Sequence, residues 1–436
     1  MFSRRSLLGA PLAAFSPPRR HNIIVILADD LGYGDLGSYG SARGVSPHLD
    51  RLADDGVRFT DHYSCSPVCS PARAGLLTGR VPQRTGVTGV LRDADDSTGL
   101  SLGCRTLAEE LREQGWRTAL IGKWHLGMAE RYRPARRGFD YFWGFLNGTI
   151  DYYTHRSLGG GATGRRTTYE NETPAALEGY FPELATAKAV EFVEANRSRP
   201  YFLFLSLALP HAPLQAPERW VKPFRGRMTE IEATYAGMLR CLDDGVGRVR
   251  AALERTGQWE RTTVMFTSDN GWVKKRTPQV ARAGSNGPFR GGKYELFEGG
   301  IRVPCIVRWP GLTKPGAEIR TPCWFPDWYP TLSGRPTPDG VDLRPILSGK
   351  AGDAERALCW QFADELVDTP PSAAIRMGDW KWLRIGAETQ LVNLDSDPGE
   401  TNDVKQLHPD LAAALDRRLS DWMKAATAHA AHRSPP

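Results

Sequence analysis

The sequence predicts an α/β sandwich built on a large, mostly parallel sheet between helices, followed by a smaller antiparallel sheet with a closing helix. Three observations carry that expectation. Continuous β-branched apolar runs alternate with capped helical segments over most of the chain, the pattern of strands buried on both faces between crossover helices. Around Ser348–Glu355 the pattern changes to short strands separated by turn residues. With 436 residues, 41% hydrophobic and 24% charged, the chain can bury one large core and a smaller second one.

The first strand is expected at Asn22-Ile23-Ile24-Val25-Ile26-Leu27-Ala28. Ser46-Pro47 then opens a helix, with Ser46 as N-cap and proline in the first turn, and Gly56 stops it. Thr106-Leu107-Ala108-Glu109 is a capping box for a second helix ending at Gly115, and Trp116–Ile121 is the next strand. Glu183–Asn196 reads as helix and Tyr201–Leu209 as strand. Glu230–Arg255 reads as a long helix and Thr262–Thr267 as another buried strand. Beyond Ser348, Leu358–Phe362, Ala374–Arg376, Trp380–Ile385 and Gln390–Leu394 read as an antiparallel sheet with a turn at Gly378-Asp379. Leu411, Leu415, Leu419 and Trp422 mark the apolar stripe of a last helix, and the tail His432–Pro436 is expected to fray. Asn147–Thr173, around Gly159-Gly160-Gly161, reads as a long irregular loop of the kind that binds ligands.

The N-terminus, Ser3-Arg4-Arg5-Ser6-Leu7-Leu8 with a short apolar stretch to Phe15, reads as a twin-arginine export signal over residues 1–20. It is far below the roughly 20 apolar residues needed to cross a bilayer, and no other segment qualifies as a membrane span. The destination implied is the periplasm or the medium. A formal charge of +6 and a pI near 8.9 are modest, and the basic residues are scattered, which argues against nucleic acid and suits a small anionic substrate. Seven cysteines (65, 69, 104, 241, 305, 323, 359) include no second pair at zinc-ligand spacing after Cys65 and Cys69, and most read as buried free thiols.

Four inferred strands end on reactive residues. Ile23–Ala28 runs into Asp29-Asp30, and Trp116–Ile121 into Gly122-Lys123-Trp124-His125. Tyr201–Leu209 runs into Pro210-His211, and Thr262–Thr267 into Ser268-Asp269-Asn270-Gly271. In open α/β sheets ligands bind outside the carboxyl ends of parallel strands, so these clusters should converge on one edge. Asp29, Asp30, Asp269 and Asn270 offer only oxygen donors, three of them anionic, a set for Ca²⁺ or Mg²⁺ rather than zinc. Cys69 precedes Ser70, read as an N-cap, and Pro71, read as the first helical residue. The cysteine would then sit over a helix N-terminus, where N–H groups and the dipole favour an anion.

Cys69-Ser70-Pro71-Ala72-Arg73, opening into Leu76-Leu77-Thr78-Gly79-Arg80, resembles the signature of the type I sulfatases. Asp29-Asp30-Leu31-Gly32-Tyr33-Gly34, Gly122-Lys123-Trp124-His125-Leu126-Gly127, Ser268-Asp269-Asn270-Gly271, Glu298-Gly299-Gly300-Ile301-Arg302-Val303-Pro304 and Asp397-Pro398-Gly399-Glu400-Thr401-Asn402 match that family in order, with the arylsulfatase A and N-acetylgalactosamine-6-sulfatase group most similar. The resemblance implies an alkaline-phosphatase-like fold, with a sulfatase domain over 21–350 and a small α+β domain over 351–436. It implies that a maturation enzyme oxidises Cys69 to formylglycine, and that residue 69 joins Asp29, Asp30, Asp269 and Asn270 at the metal. One hydroxyl of the hydrated aldehyde would attack sulfur, and loss of the other's proton would release sulfate and restore the aldehyde. By the same resemblance, Arg73 and Lys123 hold the diol and His125 takes its proton. His211 and Lys293 face the sulfate and leaving oxygen, His211 as general acid.

The substrate expected is a sulfate monoester on a galactose or amino-sugar unit, with aryl sulfates also cleaved. Gly284-Ser285-Asn286-Gly287-Pro288-Phe289 near Lys293 resembles the galactosamine-sulfatase group, and the 147–173 loop offers Asp151, Tyr152, Tyr153, His155 and Arg156 for hydroxyl and carboxylate recognition. Two other readings compete: a phosphate or phosphonate ester hydrolase of the same superfamily, and an exported glycan-binding protein with a dead site. The complete set of reactive side chains argues against the second.

Overall fold

The computed structural model describes residues 21–92, 97–159, 163–274, 277–365, 367 and 369–431. The export signal with Arg4-Arg5, Gly160-Gly161 of the long loop and the tail from His432 lie outside the described residues. In chain order the strands are β1 (Asn22–Ala28), β2 (Val57–Phe59), β3 (His62–Tyr63), β4 (Arg117–Lys123), β5 (Tyr141–Phe145), β6 (Thr168–Glu170), β7 (Thr173–Pro174), β8 (Tyr201–Ser206) and β9 (Thr262–Ser268). They continue as β10 (Cys305–Arg308), β11 (Ala317–Ile319), β12 (Cys323–Trp324), β13 (Leu358–Phe362), β14 (Ser372–Met377), β15 (Trp380–Ile385) and β16 (Glu388–Asn393). Among the described residues, ten strands form one sheet in the order β11-β2-β10-β9-β1-β8-β4-β5-β6-β7.

The centre of that sheet is parallel: β9, β1, β8, β4 and β5 all run the same way. Alternate residues of β1 enter two different cores, Ile23, Val25 and Leu27 on one face and Ile24, Ile26 and Ala28 on the other. Such a strand must be apolar throughout, which is why the run is continuous rather than alternating. The helices Phe181–Ala195 and Glu230–Arg255 cover one face through Phe181, Ala185, Leu239 and Leu242. The helices Cys69–Thr78 and Leu107–Glu113 cover the other through Ala72, Leu76, Leu107 and Leu111.

The register aligns the strand ends. Ala28 pairs with Ser268, Leu27 with Ser206, and Ser206 with Gly122. All four reactive clusters therefore leave the sheet on one edge. The third run stops as a strand at Ser206 rather than Leu209, but Leu207 N–H still donates to Leu27 O and Asp29 N–H to Leu209 O, both at 2.9 Å.

The small sheet, β13-β14-β15-β16, is antiparallel throughout. One face, with Trp360, Phe362, Leu383 and Val392, packs into the main core. The other, with Ile375, Trp382 and Leu391, packs against Leu415 and Leu419 of the final helix, Pro409–Ala431.

Two local expectations are refined. Ser46 is the N-cap, its carbonyl accepting from Asp50 N–H at 2.8 Å, but its hydroxyl bonds none of the open N–H groups. Its hydroxyl donates to Asp50 instead, and the open N–H groups of His48 and Leu49 are taken by the carboxylate of Asp243, at 3.1 and 2.8 Å, from the facing Glu230–Arg255 helix. The 147–173 loop carries pairings of its own: Ile150 bridges Ser157, Arg156 bridges Arg166, and β6 joins the main sheet beside β5.

Candidate active site

The helix bearing Cys69 begins at Cys69 itself, two residues earlier than the proline suggested. Val68 is the N-cap, because its carbonyl accepts the first intrahelical bond, from Ala72 N–H at 3.2 Å. Pro71 falls in the first turn, where its missing N–H costs nothing, and Ser70 is freed to accept from Leu91 N–H at 3.2 Å. Cys69 is buried at this helix start. Burial pushes its thiol above the ordinary range, against the pull of Lys123 and Lys293.

Arg73, one turn on, points back across the sheet edge. Its Nε and Nη2 donate to Asp269 Oδ2 at 3.0 and 2.7 Å, its Nη1 donates to Ser206 Oγ at 2.6 Å, and Nη2 lies 3.3 Å from Asp29 Oδ1. Lys123 donates to Asp29 Oδ2 at 2.7 Å. Lys293 spans both oxygens of Asp30 at 2.6 and 2.8 Å, and Asn270 Nδ2 donates to Asp30 Oδ1 at 2.8 Å. The backbone N–H of Asp30 donates to Asp269 Oδ1 at 3.0 Å. Three carboxylates and three cations thus interlock in a buried patch at the ends of β1, β4, β8 and β9.

The electrostatics follow from burial and neighbours. Burial alone would raise Asp30, but Lys293 and His211 outweigh it and hold that carboxyl below its ordinary range. At Asp269 burial wins, aided by Asp29 and Asp30 against Arg73, and the carboxyl is pushed up to about 6. Burial would lower Lys293, yet Asp30 and its other anionic neighbours hold the ammonium well above its ordinary value.

His211 Nδ1 lies 2.5 Å from the Ala212 carbonyl, which can only accept, so Nδ1 carries the proton. Nε2 then presents its lone pair to Asp30 Oδ2 at 3.6 Å. Burial lowers the imidazole to about 3, with Asp30 opposing. The ring's Nε2 and the carboxylates of Asp29 and Asp30 lie within 4.8 Å of one another. His125 is anchored on the same edge by Leu91, whose carbonyl lies 3.2 Å from Nε2 while its N–H serves Ser70. Asp30 and His125 both hold left-handed φ values, 64° and 56°, which non-glycine residues adopt at a cost.

The residues fit a hard divalent cation. Asp29 Oδ1 and Asn270 Oδ1 are buried with no hydrogen-bond partner, and each such orphan costs about 1–3 kcal/mol if nothing pairs with it. A carboxylate and an amide oxygen left without hydrogen bonds, beside the Asp29, Asp30 and His211 group, are what an oxygen-preferring cation would satisfy.

Asp29, Asp30, Arg73, Lys123, His211, Asp269, Asn270 and Lys293 are linked directly in this patch; Cys69 lies close enough to feel the charges of Lys123 and Lys293, and His125 reaches Leu91 O. Two members were missed. Ser206 fixes Arg73, and its position at a strand end, the signal used for the other clusters, would have found it. Leu91 gave no signal. Of the polar loop, Tyr153 and Arg156 remain exposed, while Asp151, Tyr152 and His155 are engaged within the fold. Asp151 is taken by the N–H groups of Tyr153 and Thr154 and by Gln215 Nε2. Tyr152 donates its hydroxyl to the turn at Ala208 and His211, His155 Nε2 lies 3.0 Å from Gly179 O, and Arg156 donates to Gly164 O. That loop holds the His211 turn in place.

A model of the sulfatase family matches residues 21–335. The chain is 35% identical to the steryl-sulfatase of Mus musculus over 441 residues, covering 82% of this chain and 70% of the relative. It is 34% identical to the N-acetylgalactosamine-6-sulfatase of Canis lupus familiaris, covering 86% and 74%. The crystal structure of Ps i-CgsB in complex with k-i-k-neocarrahexaose superposes with a TM-score of 0.86 at 30% identity, over 93% of each chain.

Proposed function

The chain belongs to the sulfatase family and is an enzyme that hydrolyses sulfate esters, and from that premise we propose a sugar sulfate monoester as its substrate, with aryl sulfates also cleaved. The fold is the alkaline-phosphatase-like one. Two relatives support the sugar assignment: the N-acetylgalactosamine-6-sulfatases, and a solved sulfatase-like chain carrying a neocarrahexaose. The steryl-sulfatase relative supports the competing steroid assignment.

In our reading, Cys69 is the residue oxidised to formylglycine, whose hydrate would supply one hydroxyl to take the sulfuryl group and a second to release it. A Ca²⁺ or Mg²⁺ held by Asp29, Asp30, Asp269, Asn270 and residue 69 would supply positive charge against the sulfate oxygens. The chain's own residues do the rest. Arg73, locked by Asp269 and Ser206, and Lys123, locked by Asp29, flank residue 69 and orient it. His125 takes a proton from residue 69. Lys293 and His211 face the sulfate; His211, neutral with its proton on Nδ1, would have to take a proton on Nε2 before it could serve the leaving oxygen as an acid. The observation that carries this reading is the pair of buried oxygens that accept no hydrogen bond, Asp29 Oδ1 and Asn270 Oδ1, set among three fixed cations near the start of the Cys69 helix. The sulfatase domain is assigned to 21–350 and the small domain to 351–436. Among the described residues no helix is long and apolar enough to cross a membrane. Export by Arg4-Arg5 is tested by Arg4→Lys with Arg5→Lys, which should leave the protein in the cytoplasm.

The experiment begins with peptide mass spectrometry, which should show the sulfur and two hydrogens of Cys69 replaced by one oxygen. Matured protein is then offered sulfated galactose and amino-sugar saccharides, aryl and steroid sulfates, and the matching phosphate esters. Sulfate release from saccharides is expected. Efficient steroid cleavage with no release from any saccharide overturns the substrate, and full activity with an intact thiol overturns the mechanism.

A further inference from the structure

Two of the matched motifs, Glu298–Pro304 and Asp397–Asn402, contribute nothing to the patch at the sheet edge. They meet each other instead. Glu298, Glu400 and Lys381 are fully buried. The Lys381 ammonium, on β15 of the small sheet, donates to Glu298 Oε1 and Glu400 Oε1, both at 2.8 Å. Glu400 Oε2 accepts the backbone N–H of Glu298 at 2.6 Å, and Glu400 itself holds a left-handed φ of 52°.

The short turn Glu298–Ile301 is where three parts of the active site are tied. Gly300 O accepts Gly271 N–H at 3.0 Å, next to Asn270. Ile301 O accepts Ser64 N–H at 2.8 Å, and Glu298 Oε2 accepts the Tyr63 hydroxyl at 2.6 Å, on the strap that leads to Cys69. Gly299 N–H donates to Arg290 O at 2.8 Å, on the loop that carries Lys293, and Arg290 Nη1 donates to Glu400 O at 2.9 Å. The packing leaves no slack: a Cβ on Gly300 would lie 2.0 Å from Glu295 O, and one on Gly271 would lie 1.8 Å from Gly299 O.

We infer that Lys381 of the small domain is a positioning residue for catalysis, neutralising the two buried carboxylates of Glu298 and Glu400 so that the 298–301 turn holds Asn270, the Cys69 strap and the Lys293 loop in register. Without the ammonium, Glu298 keeps only Arg302 as an ion-pair partner, 3.3 Å away, and Glu400 must take up a proton or move off; either change disturbs the Glu400 bond to Glu298 N–H that fixes the turn.

The inference rests on the sulfatase reading only for its kinetic arm; amide exchange needs no substrate. Lys381→Met should speed hydrogen exchange in peptides covering 269–272 and 298–301, measured at equal formylglycine content. It should lower kcat on an aryl sulfate by about tenfold or more with KM within about twofold, the signature of disturbed positioning rather than lost binding. Adding Glu400→Gln removes one carboxylate and supplies an amide N–H to Glu298, so the double variant should regain the parent's exchange pattern and a kcat within about threefold. A folded Lys381→Met protein with parental exchange and kcat overturns the inference. So does a double variant that fails to fold, or one that is as protected as the parent yet as slow as the single variant. Should Lys381→Met not fold, the double variant decides alone by the same criteria. A parent inactive on every sulfate, with the exchange pattern as expected, would sink the functional reading and leave the positioning role standing.

Discussion

Two buried ion clusters flank the Glu298–Ile301 turn, and they carry the same formal charge. At the sheet edge Asp29, Asp30 and Asp269 face Arg73, Lys123 and Lys293. Between the sheets Asp61, Glu298 and Glu400 face Arg302, Arg376 and Lys381. Each contains one carboxyl that burial raises, Asp269 to about 6 and Glu400 to about 7, and one that its cations hold down, Asp30 below its ordinary range and Glu298 to about 2. They differ in what is left over. The edge cluster retains two buried oxygens that accept no hydrogen bond, on Asp29, where Arg73 Nη2 stands 3.3 Å away, and on Asn270, whereas every buried side-chain nitrogen and oxygen of the second cluster has a hydrogen-bond partner. Charge balance does not mark a site. Unfinished hydrogen bonding on a carboxylate and an amide set beside reactive groups is the better mark, although isolated buried hydroxyls such as that of Thr263 also lack partners.

The largest effect that would break this comparison is at Asp269. Asp269→Ala removes the acceptor of two Arg73 bonds and of Asp30 N–H. Turnover of an aryl sulfate should fall at least about a thousandfold, equivalent to ~4 kcal/mol. The rise in thermal midpoint that Ca²⁺ or Mg²⁺ gives the parent should vanish too, since a ligand stabilises only the fold that binds it. Parental turnover in this variant, or zinc as the sole metal restoring activity after exhaustive chelation, would remove the hard-cation reading.

How much of this contrast the chain discloses in advance depends on distance along it. β1, β4, β8 and β9 are legible because both faces of each are buried, which forces continuous apolar runs. Their ends give Asp29, Lys123, His211 and Asp269 without any knowledge of the partners. β2, β10 and β11 escape notice because three or four residues are too few to show a period. The second cluster is illegible for another reason. Lys381 lies 83 residues from Glu298, and a lone lysine in Trp380–Ile385 reads as a solvated side chain until β15 is seen turning it into the main domain. Helix starts are misplaced within the first turn, by two residues at Cys69, because proline is tolerated anywhere in that turn. The cap from Asp243 has no local sequence at all.

A smaller effect sharpens the same comparison from the saturated side. Asp61 accepts from Arg302 at 2.8 Å and pairs with Arg376 at 2.7 Å. Asp61→Ala leaves two guanidinium groups without that carboxylate, and denaturant unfolding should show a loss of about 3 kcal/mol. The stabilisation by Ca²⁺ or Mg²⁺ should be as large as in the parent, because no unpaired oxygen of the edge cluster is touched. A cation response lost together with Asp61 would mean that the two clusters act as one.

The smallest effect is expected at a buried carboxylate outside both clusters. Asp243 takes the N–H groups of His48 and Leu49, and Arg240 stands 3.8 Å from it. Burial, only partly opposed by those N–H groups and by Arg240, pushes its carboxyl up to about 7. The folded value thus lies above the unfolded one, near 3.9. The sign follows: this group's contribution to stability is complete below about pH 4 and is lost as pH rises through about 7, because the folded state holds the proton that the unfolded state has released. Asp243→Asn keeps one acceptor for the helix start and cannot ionise. At pH 5 the variant should be less stable than the parent by about 1 kcal/mol, the usual net value of the one hydrogen bond it gives up. By pH 8 the gap should close or reverse, since only the parent then carries a buried, half-paired anion. Denaturant midpoints of the two proteins at both pH values measure this difference directly, with all other titrating groups cancelling. A gap that widens with pH would show the helix start favouring the anion more strongly than burial opposes it, and the rule that an isolated buried carboxylate stays protonated would fail at this position.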